Sequence, residues 1–313
     1  SLYGVQYAKE DLYIRSLDKT KKNILVAAEV NENLIDGSTI WLLGLVHALA
    51  NVDGVHVYVV TASNWLPTKV NAQLLSLPNV SKVDLVLDER YDHKAIAHKL
   101  QNLDRVNGGF DQIFVRGDAF IKSFRSAAFT PRLVCYLAGV FRPLEDGYDL
   151  PVEAQEVLAI ANRSQAVLFQ TAITQTYFAQ LYPQYTGNFV LMPPAEILFY
   201  ADDTKPSVTK PVDKKWLFYS GKLTRQYGLL ELMDAFAAYL GRGEPIDLII
   251  AGNKFDFKDL ELMARFYAFL RQHSDNVTWL PGISPSESYA FLQQADVVWC
   301  WRLPEFEAGH FEV

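Results

Sequence analysis

Cysteine is scarce in this sequence, with only Cys135 and Cys300 among 313 residues. Both lie within apolar runs, where a thiol is usually a small buried hydrophobic group. Two isolated cysteines exclude a disulfide framework and a cysteine-rich metal cluster. The six histidines show no HxxxH spacing with acidic partners, so we predict that the protein binds no metal.

Basic residues are in the minority, with 29 Lys and Arg against 36 Asp and Glu and a net charge of -7. This balance excludes a broad basic surface for nucleic acid or anionic lipid. No apolar run reaches the ~18 residues that a membrane helix needs, and the N terminus lacks the pattern of a signal peptide. We therefore expect a cytoplasmic protein that binds no nucleic acid.

Hydrophobic residues make up 50% of the chain, in short β-type runs that alternate with helical patterns. Residues 23–30 form the first such run, residues 38–50 follow as a helix with Ser38 as a candidate N-cap, and residues 55–61 form the second strand. The alternation restarts at residue 216 after a polar linker. This repeated alternation of strands and helices predicts an α/β protein with two Rossmann-like, doubly wound domains.

Loops that directly follow strands are where open parallel sheets bind their ligands. One of these loops contains Gly221, Lys222 and Arg225 just before a helix. A lysine point charge, the bidentate fork of an arginine and unpaired helix N–H groups together predict a diphosphate clamp. Solvated surface cations are the alternative interpretation of the same residues.

Other strand ends carry weaker signals. Glu305 follows the last strand, where a carboxylate could accept hydrogen bonds from sugar hydroxyls or simply be solvated. In the first domain, Arg116, Asp118 and Gly139 lie at strand ends and are candidates for the acceptor side of a site. Glycine beside polar residues after a strand also marks two further loops, which could equally be ordinary turns: Asp36-Gly37 and Gly252-Asn253.

Three segments of the second domain, WLFYSGKLTRQYGLLELMDAF, IDLIIAGN and NVTWLPGISPSESYAFLQQADVVWCWRLPEFE, follow one another with a characteristic order and spacing. In this they resemble the glycosyltransferase group 1 family, which consists of retaining nucleotide-sugar glycosyltransferases with the GT-B fold. The second domain is shorter than the first and stops soon after a strand. The resemblance therefore suggests a chain that lacks its C-terminal end.

The resemblance implies transfer of a sugar from a nucleotide-sugar donor to an acceptor hydroxyl, with retention, without a metal, and with the donor as a substrate rather than a cofactor. Lys222 stands at the family's first basic position for the donor diphosphate. Where a second basic residue is common this chain has Tyr227, and Arg225 is the candidate substitute. Glu305 matches the first of the family's paired glutamates, with Glu312 as the alternative. The catalytic residues predicted in this way are Lys222, Arg225, Glu305 and Glu312.

The resemblance also assigns roles to the two domains. Residues 1–200 would be the acceptor domain, 201–214 the linker and 215–313 an incomplete nucleotide-sugar domain. Donor contacts are predicted at Asp36, Gly37, Gly221, Gly252 and Asn253. The implied acceptor is a glycan or a lipid-linked sugar, which suggests surface polysaccharide assembly with peripheral contact at the inner membrane face.

Two other functions remain open at this stage. The first is a non-catalytic GT-B-like subunit that binds nucleotide or a partner chain, because Tyr227 and the single glycine of the first loop depart from the family pattern. The second is a nucleotide-sugar epimerase on the same fold, because a fold does not fix a function.

Overall fold

A computed structural model of the chain describes residues 17–30, 37–61, 69–84, 93–106, 108–137, 152–192 and 204–301. The chain divides into two compact units. Unit 1 comprises Ser1–Ile197 and Phe311–Val313, and unit 2 comprises Leu198–His310.

Unit 1 is built on one parallel sheet. Its strands are β1 (Lys22–Ala28), β2 (Val55–Thr61), β3 (Val80–Asp84), β4 (Gln112–Arg116), β5 (Leu133–Tyr136), β6 (Ala166–Phe169) and β7 (Phe189–Leu191). They lie in the order β3-β2-β1-β4-β5-β6-β7 and every pairing is parallel. All but the first residue of β1 are buried, as expected for a strand that is covered on both faces.

Helices connect these strands. They are α1 (Gly37–Ala50), α2 (Lys69–Ser76), α3 (His93–Val106), α4 (Asp118–Ser123), α5 (Val152–Arg163) and α6 (Ala172–Leu181), with a 3-10 turn at Thr130–Arg132. Leu25 and Ala27 of β1 face a core that α3 to α6 complete. Successive strand residues point to opposite faces, so the equally buried Val26 faces the other layer. Helix α1, which contacts β2, is buried nearly all round from Trp41 to Val46.

Unit 2 has a smaller parallel sheet formed by β8 (Lys215–Ser220), β9 (Ile246–Ala251), β10 (Val277–Leu280) and β11 (Val297–Val298), in the order β10-β9-β8-β11. Its helices are α7 (Leu229–Leu240), α8 (Leu260–Gln272) and α9 (Pro285–Gln294), with a 3-10 turn at Arg225–Tyr227. Leu217 and Tyr219 pack into the core beneath α7 and α8, while Trp216 and Phe218 pack against Phe291 of α9 on the other face.

The predicted fold class is confirmed, since both units are parallel, doubly wound α/β structures. One local prediction was wrong. Helix α1 begins at Gly37, so Ser38 lies inside its first turn and is not the N-cap. Asp118, predicted near the end of a strand, lies two residues beyond β4 and is the first residue of α4. None of the described helices is long and apolar enough to cross a bilayer.

Candidate functional site

The loop after β8 lies at the topological switch point of unit 2. β9, the next strand along the chain, pairs with one edge of β8, and β11 pairs with the other. Connections on opposite sides of a strand leave a crevice beyond its carboxyl end, where open α/β sheets bind ligands. The predicted clamp residues Gly221 and Lys222 are the first two residues beyond this end.

The Gly221 loop is packed directly on the loop that follows β9. The Gly221 amide donates to the Ala251 carbonyl at 3.0 Å, and the Leu223 amide donates to the Lys254 carbonyl at 2.9 Å. Gly252 has φ 143°, and a Cβ added to it would lie 2.1 Å from the Gly221 carbonyl oxygen. The structure therefore brings together Gly221 and Gly252, two of the predicted donor contacts, with exposed Asn253 next in the chain.

Two tyrosines hold Lys222. The Tyr219 hydroxyl donates to its carbonyl oxygen, and its ammonium donates to the Tyr227 hydroxyl at 3.1 Å. The ammonium also lies 5.1 Å from the centroid of the Tyr227 ring, within the range of a cation–π contact. Burial raises the pKa of Tyr219 above its ordinary value, so this hydroxyl remains a donor at neutral pH.

Arg225, the other predicted cation, is held by carboxylates. Its guanidinium donates from Nε and Nη2 to Asp259 at 2.5 and 3.2 Å, and from Nη2 to Glu261 at 3.0 Å. Asp259 is the N-cap of α8 and accepts from the Leu262 amide at 3.0 Å. The hydrogen bond between them raises the pKa of Arg225 and lowers that of Asp259. Arg225 thus joins its loop to α8, and its part in a diphosphate clamp stays a prediction.

Three buried polar side-chain atoms of unit 2 have no hydrogen-bond partner among the described residues: Thr224 Oγ1, Glu231 Oε2 and Trp299 Nε1. All three belong to segments at the carboxyl ends of β8 and β11. Thr224 precedes the 3-10 turn, Glu231 is in the first turn of α7 and Trp299 follows β11. Buried polar groups are nearly always paired, so this end of the sheet has unused capacity for hydrogen bonding.

In unit 1 the switch point lies between β1 and β4, and Arg116 occupies it. Its guanidinium donates to Ser38 Oγ at 2.9 Å and to the Glu29 carbonyl at 3.4 Å. It also lies 5.7 Å from the ring centroids of Trp41 and Tyr136, which stack on each other at 4.7 Å. The arginine therefore joins the ends of β1, β4 and β5 to the first turn of α1.

The turn after Arg116 requires glycine. Gly117 has φ 95°, and a Cβ there would lie 2.3 Å from Glu29 Cβ. The Glu29 carboxylate accepts from the Ala119 amide at 3.3 Å, in the first turn of α4. Asp118, the predicted acceptor residue between them, is exposed. Gly37, a predicted donor contact, begins α1 beside Ser38.

Four predicted site residues, Asp36, Gly139, Glu305 and Glu312, lie outside the described residues. Within the described ranges, no group of three His, Cys, Asp or Glu side chains could hold a metal ion. The prediction of a metal-free site stays a prediction.

The sequence did not reveal several partners of these residues. Glu29 was hidden because the apolar run 23–30 predicts a strand throughout, whereas β1 ends at Ala28. The stacked pair Trp41 and Tyr136 looked like ordinary core residues. Asp259 carries a signal in the sequence, because it directly precedes a helical pattern, which is typical of an N-cap.

A protein-family model described as "Glycosyl transferases group 1" matches residues 201–305. The match includes β8, the Lys222 loop and the helices α7, α8 and α9. This part of the chain matches a glycosyl transferases group 1 domain, so the resemblance seen in the sequence is confirmed. No curated protein matches the sequence.

Solved structures resemble most of the chain. The Anabaena protein HepE in complex with UDP-glucose has a TM-score of 0.60 at 14% identity, over 88% of this chain and 72% of that one. Sucrose-phosphate synthase from Thermosynechococcus elongatus has a TM-score of 0.63 at 15% identity, over 89% and 75%. The α,α-trehalose 6-phosphate synthase of Burkholderia multivorans has 0.61 at 14% identity, over 90% and 78%. These likenesses support the predicted GT-B type of fold.

Proposed function

We propose that the protein transfers a sugar from a nucleotide-sugar donor to an acceptor hydroxyl, with retention at the anomeric carbon. The observation that carries the proposal is the position of Lys222 immediately beyond the carboxyl end of β8, at the switch point of unit 2. Negative charge builds up on the diphosphate as the sugar leaves, and a cation fixed at that point stabilises it. Complexes of HepE with UDP-glucose support a nucleotide-sugar donor.

The loop that contains Gly221 and Lys222 is suited to this task because its conformation is fixed before the ligand binds. Tyr219 fixes the Lys222 backbone, and the contact between Gly221 and Gly252 fixes the neighbouring loop. A preorganised positive charge costs no reorganisation during the reaction. With Lys222 balancing the leaving charge, we propose that no metal is required and that the donor is consumed as a substrate.

The remaining predicted roles belong to the same proposal. Glu305 or Glu312 would accept hydrogen bonds from the donor sugar. Asp36 would contact the donor, and Gly139 would lie on the acceptor side. Arg116 and Asp118 would orient the acceptor, which we propose is a glycan or a lipid-linked sugar of surface polysaccharide assembly. Such an acceptor would place the enzyme in the cytoplasm, in peripheral contact with the inner membrane face.

Donor turnover tests the proposal. The protein is incubated with UDP-, GDP-, ADP- and dTDP-glucose, with and without a simple glucoside acceptor. The buffer contains about 5 mM EDTA to remove divalent ions. We expect release of one nucleoside diphosphate and, by NMR, a new glycosidic bond with the anomeric configuration of the donor. A product with inverted configuration would contradict retention. Dependence on added divalent metal would contradict the metal-free proposal.

The same assay separates the alternatives. A free epimer formed without acceptor would establish the epimerase. Tight binding of a nucleoside diphosphate without turnover of any donor would establish the non-catalytic subunit.

A further inference from the structure

The side of helix α8 that points away from the core of unit 2 is apolar. The buried residues of this helix recur at helical spacing: Leu262, Phe266 and Phe269. On the opposite side of the helix, at intervals of four residues, lie Leu260, Ala264 and Ala268, which are all exposed. Leu260 is 72% exposed, and Phe257 in the turn directly before it is 74% exposed. Apolar surface of this kind is stabilised when a second surface covers it.

The edge of this surface is rigid. Tyr267 is exposed there, and its ring lies 6.2 Å from the centroid of Phe255 and 5.9 Å from that of Trp279. A side chain that is already ordered loses little conformational entropy when a partner covers it. The small side chains of Ala264 and Ala268 leave room for another helix to approach closely. Phe257, Leu260, Ala264, Tyr267 and Ala268 together are called the α8 face below.

The two ends of the α8 face carry opposite charges. The first turn of α8 contains Glu261, whose side chain is 86% exposed although one of its oxygens accepts from Arg225 at 3.0 Å. The last turn contains the exposed Arg271, three turns after Leu260 and on the same side of the helix. Such a surface complements one whose charges run in the reverse order.

A second copy of α8, packed antiparallel, has its charges in that reverse order. In a two-fold symmetric contact, residue i touches residue j of the other copy and j touches i. Ala264 and Ala268 are centred on position 266, and so are Glu261 and Arg271. One two-fold axis therefore places each Ala264 opposite Ala268 and each Glu261 opposite Arg271 of the second copy. The apolar stem of that arginine would then cover Leu260.

A membrane surface fits the α8 face less well. The exposed carboxylates Asp256 and Glu261 outnumber the one exposed cation between them, Lys258. A bilayer would hold these carboxylates against anionic headgroups, which repel them. A second copy instead supplies a cation to each Glu261.

We propose that the α8 face is the contact surface of a homodimer, in which two copies of α8 pack antiparallel and Glu261 of each copy pairs with Arg271 of the other. The dimer requires nothing of the proposed sugar transfer. A contact of one helix pair lies at the small end of specific interfaces, so we expect a Kd on the order of 10–100 μM. The chain should thus be a monomer at about 1 μM and largely a dimer at about 500 μM.

Sedimentation equilibrium of the full chain over that concentration range tests the proposal. Leu260→Glu should raise the Kd at least about tenfold, because it places a charge in the apolar contact. The variant should fold, since a glutamate in the first turn of a helix is favourable. Arg242→Glu, in the exposed turn after α7, is the control and should dimerise as the wild type does.

A charge exchange tests the antiparallel arrangement itself. Glu261→Arg and Arg271→Glu should each raise the Kd about tenfold, because each places like charges opposite one another. The double variant should return to within about threefold of the wild type. Glu261→Arg also removes the contact with Arg225, so the recovery in the double variant is the decisive result.

Three results would overturn the inference. The first is a wild-type chain that stays monomeric up to about 500 μM. The second is a dimer that Leu260→Glu leaves intact, or that the double variant forms no better than the single variants, since the copies would then meet through another surface. The third is a monomeric wild type that sediments with vesicles of phosphatidylcholine and phosphatidylglycerol when Leu260→Glu does not, which would make the α8 face a membrane contact.

Discussion

The carbonyl oxygen of Gly221 occupies the place where a side chain of residue 252 would begin, 2.1 Å from a Cβ added there. This contact joins the loop that follows β8 to the loop that follows β9. Because the oxygen belongs to the backbone, it cannot rotate away as the end of a flexible side chain would. The closeness of the two loops, and hence the position of Lys222, depends on glycine at position 252.

Gly252→Ala should therefore be strongly destabilising. Its φ of 143° is rarely adopted by residues with a side chain, and the clash with Gly221 adds to that cost, so we expect the free energy of unfolding to fall by about 2–4 kcal/mol. Gly282→Ala is the control, because a Cβ there has no heavy atom within 4 Å, and its effect should stay within about 0.5 kcal/mol. Urea denaturation measures both, and equal stabilities would contradict the packing described.

Arg225→Gln should reduce stability at neutral pH but not in acid. The pKa of Asp259 is lowered from its ordinary 3.8, first by the hydrogen bond from Arg225 and then by that from the Leu262 amide. A lowered folded-state pKa gives stability that is present above the ordinary value and is lost as the pH falls through the folded-state value. The difference between variant and wild type should thus shrink below pH 3.8.

Urea denaturation at pH 7 and at a pH of about 3 measures this effect. Arg271→Gln is the matched control, since it removes the same charge from the exposed last turn of α8. A difference between Arg225→Gln and wild type that stayed constant down to the acid limb would show that the ion pair with Asp259 does not stabilise the fold.

The two cysteines should differ sharply in reactivity. Burial raises the pKa of Cys135 to about 12, so it remains a protonated thiol at pH 8, whereas Cys300 is exposed just beyond β11. We expect DTNB to modify one thiol in the native protein and two after denaturation. Cys300→Ser should abolish the fast reaction.

Cys300 also reports on the proposed donor site, because it follows β11 at the end of the sheet where Lys222 lies. A nucleoside diphosphate that binds there should slow the reaction of Cys300 with DTNB. If the bound nucleotide left the rate unchanged, the ligand would lie elsewhere.

The sequence was sufficient to predict the architecture because buried parallel strands appear as short apolar runs, and the restart predicted at residue 216 falls within one residue of the start of β8. It was less informative at the strand ends. The run 23–30 extends two residues beyond β1, which concealed Glu29, and Ser38 proved to be a partner of Arg116 rather than a helix cap. Hydrogen bonds between residues distant in sequence have no periodic signal.

The candidate site shows the same division. Lys222 was predicted from a local coincidence of strand end, glycine and basic residue. The use of Arg225 as a link to α8 depends on Asp259 and Glu261, more than thirty residues away along the chain. One sequence alone does not reveal such long-range partners.

The most direct test of the account is a calorimetric titration of UDP, GDP, ADP and dTDP into the wild-type chain, Lys222→Ala and Lys215→Ala. The two variants remove the same charge from opposite ends of β8. We predict that one diphosphate binds the wild type and Lys215→Ala alike, and that Lys222→Ala weakens this binding by about thirtyfold or more, as expected for loss of a charge-assisted contact. Equal affinity of all three proteins would contradict a donor site at Lys222.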